Sequence, residues 1–193
     1  MKLVETSEIL DLTAYEKIRE RYLAETIAMK KNRRIPLGDR LTFIFENRDT
    51  VIFQIQEMTR AERSVREEAI ADEVAVYNEL VPGDHELSAT LMIEIPEAGR
   101  IRSELDRLVG IDEFVCLEVG EARVSATFDD KQFEGDRISA VQYVKFPLGA
   151  EAAAAFQDPG TPVILRVSHP AYTAEQPIEG AWRASLASDL VEA

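Results

Sequence analysis

The spacing of apolar residues divides the chain into a helical first part and a strand-rich second part. Thr6 or Ser7 offers an oxygen that caps a first short turn, and Thr13 heads a predicted helix from Ala14 to Lys31. The apolar positions of that helix, Ile18, Tyr22, Ile27 and Met29, are loosely spaced, which predicts a surface helix. It ends in Lys30, Lys31, Arg33 and Arg34, cations where the helix dipole favours them. Beyond Pro36 and Gly38, Leu41–Glu46 reads as a strand with Leu41, Phe43 and Phe45 on one face. A long helix is then predicted from Arg48 to Leu80, because no Gly or Pro interrupts it. Val51, Ile55, Met58, Val65 and Ala69 form one stripe; Ile70, Val74, Tyr77 and Val81 form a second, and Pro82-Gly83-Asp84 ends the helix.

The remainder reads as a duplication. Ser88–Pro96 can be laid over Ser139–Pro147, with serines and prolines both offset by 51 (139 − 88, 147 − 96). Each copy continues into a predicted helix (Glu97 to Val109, Ala150 to Gln157), a strand (Phe114 to Val119, Val163 to Ser168) and an extended segment (Ala122 to Phe128, Ala171 to Ile178). A β-α-β-β unit cannot bury its sheet face alone, and pairing two completes a core. A last helix is predicted from Arg183 to Val191. The expected class is therefore α+β: residues 1–84 give a helix, a strand and the long helix, and residues 85–193 give two β-α-β-β halves in a mixed sheet, all on one continuous core. A single curved antiparallel sheet around the long helix is the alternative.

Charge and composition narrow the function. A chain of 193 residues with 46% hydrophobic and 30% charged residues supports a folded core. The net charge of −14 repels a phosphate backbone, which argues against nucleic-acid binding. The single Cys116 forms no internal disulfide, Met1 to Leu10 carries Glu5 and Glu8 and no long apolar run, and no stretch approaches a membrane span. A cytoplasmic location is the expectation.

Candidate chemistry is sparse. Neither His85 nor His169 has a Glu or Cys at ligand spacing, so neither a metal nor another cofactor is expected. Cys116 lies in the apolar run Phe114–Leu117, where a thiol is usually a small core side chain. No nucleophile elbow or Gly-rich phosphate loop is present. The densest polar set surrounds the strand-to-helix junction and includes Glu46, Arg48, Gln54, Gln56, Glu57, Arg60 and Glu62. Glu62 falls on the stripe that continues Val51, Ile55 and Met58, with Arg66 one turn on as its expected partner. The set reads either as an internal ion-pair network or as a pocket built from Glu57, Arg60 and Glu62, with His169 as a further candidate. The Lys30–Arg34 cluster reads as a solvated helix end or as a contact for an acidic protein or a phosphate-bearing ligand.

The string Phe45-Glu46-Asn47-Arg48-Asp49-Thr50, continued by Phe53 to Met58, is distinctive. Together with Arg60-Ala61-Glu62-Arg63, Ser139-Ala140-Val141 and His169-Pro170-Ala171-Tyr172, it resembles a bacterial family without an established function, often encoded beside a rubrerythrin and a cysteine-rich iron–sulfur oxidoreductase. The likeness runs from the first helix to Leu190. A histidine is common in that family where this chain has Gln142, which weakens the idea of a histidine pair with His169. The resemblance implies a place in peroxide or oxygen defence, with the redox centres on the neighbours. The expected function is a non-catalytic partner or assembly protein of that rubrerythrin or oxidoreductase, with a homodimer as an option for the chain itself. The alternative is a small-ligand binder or enzyme. Candidate binding residues are Glu46, Arg48, Glu57, Arg60, Glu62, His169 and Tyr172.

Overall fold

The computed structural model describes residues 1–129, the backbone of 133–134, and residues 137–190. Helix α1 (Leu12–Lys31) is capped by Asp11, two residues before the predicted cap Thr13, and the Asp11 Oδ1 accepts from the Ala14 N–H at 2.9 Å. It leads into a strand absent from the prediction, β1 (Arg34–Leu37), which pairs with β2 (Leu41–Glu46). Proline is tolerated because β1 pairs on one side only, and Gly38 turns the hairpin at φ +69°.

The predicted long helix is two helices, α2 (Arg48–Glu62) and α3 (Glu67–Asn78). Arg63 adopts the left-handed region (φ 51°), and the N–H groups of Arg63 and Ser64 return to the carbonyls of Arg60 and Thr59 at 3.2 and 2.9 Å. That pair of bonds is a Schellman closure, which ends a helix without glycine at the cost of placing a side-chain-bearing residue at positive φ.

The two β-α-β-β halves are present. The first is β3 (Glu86–Ile93), α4 (Ile101–Asp106), β4 (Val115–Val119) and β5 (Ala122–Ser125). After β6 (Thr127–Phe128) and a short hairpin of β7 (Phe133–Glu134) and β8 (Arg137–Ile138), the second is β9 (Val141–Pro147), α5 (Gly149–Gln157), β10 (Val163–His169) and β11 (Tyr172–Pro177). Helix α6 (Gly180–Ala187) and a 3-10 turn (Ser188–Leu190) follow; Val191, the predicted helix end, lies outside the described residues.

Every pairing among the described residues is antiparallel, and the strands divide between two larger sheets rather than one: β1-β2-β3-β9-β6 and β11-β10-β4-β5. The halves meet in the middle of each. In the first sheet Leu91 sits opposite Gln142, its own equivalent at the repeat offset of 51 (142 − 91). In the second Cys116 sits opposite Arg166, equivalent at the offset of 50 (166 − 116) that also relates hairpin ends Val119 and His169. A local two-fold axis thus passes through both central strand pairs. The N-terminal hairpin breaks the symmetry by laying β2 beside β3 where the second half has β6 beside β9.

The inner faces share one core. Phe43, Phe45, Leu87, Leu91 and Phe146 face Leu117 and Leu165 across it, all fully buried. Ala89 stands between Phe45 and Val144 in register, and its small side chain lets the Phe45 and Phe146 rings meet, centroids 6.0 Å apart. A second, smaller cluster (Val4, Val51, Ile55, Val74, Leu80, Val81) joins α2, α3 and the N-terminus. Two amides tie that N-terminus down in the manner of a β-bridge: Gln56 holds both backbone groups of Leu10, at 2.9 and 2.9 Å, and Asn78 both of Val4, at 2.9 and 3.0 Å.

Candidate functional site

The polar set around the β2–α2 junction is internally saturated. Glu46 is buried on the outer face of β2, where its carboxylate accepts from Thr50 and Thr90 hydroxyls at 2.5 and 2.8 Å and from the Gln54 amide at 2.9 Å. Glu57 accepts a two-pronged bond from Arg19 (2.8 and 2.7 Å) and the Tyr15 hydroxyl at 2.7 Å, pinning α1 to α2. The Arg19 bond outweighs partial burial and holds the Glu57 carboxyl below its usual range. Burial, then the proton donated to Glu57, pushes the Tyr15 phenol well up. Arg48 pairs with Glu8 of the N-terminal turn, and Arg60 with Glu16 at 2.6 Å.

Glu62 does not join them. Because α2 ends there, the apolar stripe of that helix stops at Glu62; it is exposed, and Arg66, its expected partner, lies across the break at the cap position before α3. Val65, read on the same stripe, is 77% exposed for the same reason. A depression of about 350 Å³ lies beside Arg60, lined by Leu12, Glu16, Ala61 and Arg63, without Glu57 or Glu62.

His169 and Tyr172 lie elsewhere, at the β10–β11 hairpin. The buried imidazole accepts at Nδ1 from the Ala171 N–H (3.2 Å), so Nε2 carries the proton and donates to the Val109 carbonyl (3.2 Å); the ring stands edge-on to Phe114, centroids 5.2 Å apart. The Tyr172 hydroxyl accepts from the Asp39 and Arg40 N–H groups (3.0 and 3.2 Å) and offers its proton to the Leu37 carbonyl or the Asp39 carboxylate (3.0 Å each). It fastens the β1–β2 turn to the second sheet. Both residues thus hold structure together.

The basic cluster is split. Lys30 and Lys31 close α1, but Arg33 is fully buried: its guanidinium donates to the Phe45 and Glu46 carbonyls at 2.8 and 3.1 Å and pairs with Asp189. Burial pushes the Asp189 carboxyl up, and Arg33 only partly pulls it back. Cys116 is buried as expected, and burial pushes its thiol up, disfavouring the thiolate. Among the described residues no three of His, Cys, Asp and Glu gather as a metal would require, and no helix is long and apolar enough to cross a membrane.

A further concavity lies away from every candidate residue. A groove of about 620 Å³ runs between α3 and the outer face of the first sheet. Val76, Tyr77 and Leu80 line one wall; Tyr143 and Lys145 of β9 and Phe128 of β6 line the other, with Ser88 also lining it. Val76 is 63% exposed. Glu73 sits at one end, where burial, then the Glu62 and Asp72 carboxylates, push its carboxyl up. Its local signal was the wet valine in the middle of a helix; the opposite wall comes from a strand some 70 residues on (143 − 73) and had none.

An α+β protein built from a two-fold pair of β-α-β-β halves, with a helical hairpin on the outer sheet face and an apolar groove beneath it, is the class these features define. The family model described as protein of unknown function (DUF3501) matches residues 3–190, and the chain belongs to that family. A solved crystal structure from Burkholderia pseudomallei K96243, described as a novel protein of unknown function, is similar at 35% identity and a TM-score of 0.91, covering 98% of this chain and 100% of that one. No curated protein matches the chain.

Proposed function

We propose that this chain is an accessory protein that works by docking another protein, and that its partner is the rubrerythrin or cysteine-rich iron–sulfur oxidoreductase implied by the family resemblance. The observation that carries the reading is a contrast. The polar side chains suited to chemistry are consumed by the fold, Glu57 by Arg19 and Tyr15, Glu46 by Thr50, Gln54 and Thr90, while apolar surface on Val76 and Tyr143 is left to solvent beside a groove. Exposed apolar surface rimmed by charge is characteristic of interaction sites. Redox chemistry in peroxide or oxygen defence then belongs to the partner. Tagged protein from the native host should recover one of these two proteins, and Val76→Lys should lose it; recovery of neither refutes this choice of partner.

The groove volume also supports a second reading, a small-ligand site, since about 300–1,000 Å³ is the usual range for such pockets. A thermal-shift screen separates the two: a compound that stabilises wild-type protein but not Val76→Lys favours the ligand.

A further inference from the structure

The α3 wall of the groove has one-sided charge. Glu73, Val76 and Tyr77 of α3, with Leu80 in the turn just beyond the helix, follow an i, i+3, i+4, i+7 spacing and line one side of the groove, a row of about 10 Å at the helical rise. From residue 67 to 99 the chain carries nine carboxylates and no lysine or arginine. On the opposite wall the Lys145 ammonium is engaged by Glu86 at 3.0 Å. Glu73, half-buried at the end of the stripe, makes no hydrogen bond or ion pair with any described residue, and the charged groups acting on it, Glu62 and Asp72, are both negative. A carboxylate partly withdrawn from water with only like charges around it is relieved by a cation, and this part of the chain supplies none.

We propose that the groove receives a cationic amphipathic segment of a partner protein, its apolar side chains against Val76, Tyr77, Leu80 and Tyr143 and a lysine or arginine one helical turn away on Glu73. This rests on the docking reading above and adds the chemistry of the partner. A stripe of about 10 Å matches two turns of a helix, whose i and i+4 side chains reach the apolar wall and the carboxylate together. An anionic segment is repelled by Glu62, Asp72 and Glu73 alike.

Two synthetic amphipathic peptides test this, sharing a leucine stripe and differing in lysine or glutamate at the flanking positions, each titrated into isotope-labelled full-length protein and followed by backbone amide shifts. The lysine peptide should shift amides of α3 and β9. Glu73→Gln should weaken it roughly tenfold at low salt, with a smaller loss at high salt, as expected for a charge pair. Val76 and Glu73 are not fully buried, so the variants keep the fold, which their unshifted amides away from the groove verify. Equal binding of both peptides in the groove overturns the cation on Glu73 and leaves the docking reading standing. Binding of neither, or shifts mapping elsewhere, overturns the proposal, and partner recovery with Val76→Lys judges the docking reading separately.

Discussion

Replacing Arg33 by methionine keeps the volume of its stem but removes the guanidinium. The Asp189 carboxylate, 5% exposed, then has no cation, and the carbonyls of Phe45 and Glu46 lose their donors. Breaking one partner of a buried ion pair costs about 3–5 kcal/mol. Against a total stability of about 5–15 kcal/mol for a domain, that is a large share. Urea denaturation at pH 7 should show a midpoint lowered to match, with the slope unchanged. The loss also carries a pH signature. The folded-state pKa of Asp189 already lies above its ordinary value, and without Arg33 it moves higher, so the folded variant holds that proton more tightly than the unfolded chain. Stability from this group is fully present below the unfolded pKa, near 4, and is lost as pH rises through the folded one. The variant should therefore recover toward wild type as pH falls from 7 to 4. Arg33→Met combined with Asp189→Leu should regain much of the loss at pH 7. A single-variant loss under about 1 kcal/mol, or one independent of pH, refutes the assignment of a buried, charge-dependent clamp.

Other outcomes follow from the same contacts. Glu57→Gln should cost about 1–2 kcal/mol at pH 7; because its folded pKa is depressed, that contribution exists above the unfolded pKa and fades as pH falls through the folded value, so the gap between wild type and variant in urea melts should narrow as the solution is acidified below the ordinary carboxylate range. Gly38→Ala should destabilise by about 2 kcal/mol or more, because the new Cβ would lie 2.2 Å from the Tyr172 hydroxyl at a backbone φ of +69°, and adding Tyr172→Phe should relieve part of the clash in a double-mutant cycle. Arg63→Gly should stabilise by about 0.5 kcal/mol in the same assay, since glycine accepts positive φ without strain. Cys116 should react with a thiol reagent only at the rate of global unfolding, measured as colour release with and without denaturant.

What could be read from the sequence had local causes. The alternation of Leu41, Phe43 and Phe45 marks β2, and the recurrence of Ser and Pro at one offset marks two copies of one unit. What escaped depends on distant partners. Arg33 sits among lysines and looks solvated until Asp189 arrives 156 residues later. Glu57 is answered by Tyr15 and Arg19, 42 and 38 residues earlier, which no helical spacing within α2 reveals. The break at Arg63 lacks glycine and proline because its stabilising bonds are backbone bonds, available to any residue that accepts the strain. His169 and Tyr172 stood out as polar residues in a distinctive string; each is distinctive because it fixes a turn.

The local two-fold has a consequence for how the chain acquires its shape. The central ladder of each sheet joins one half to the other, across 51 residues at Leu91 and Gln142 and 50 at Cys116 and Arg166. Neither half can therefore finish a sheet while it emerges alone, and its unpaired backbone stays available to the wrong neighbour until its sibling arrives. Closing such distant pairings should make folding slow for a chain of this size, with a refolding rate set by the meeting of the two halves rather than by helix formation.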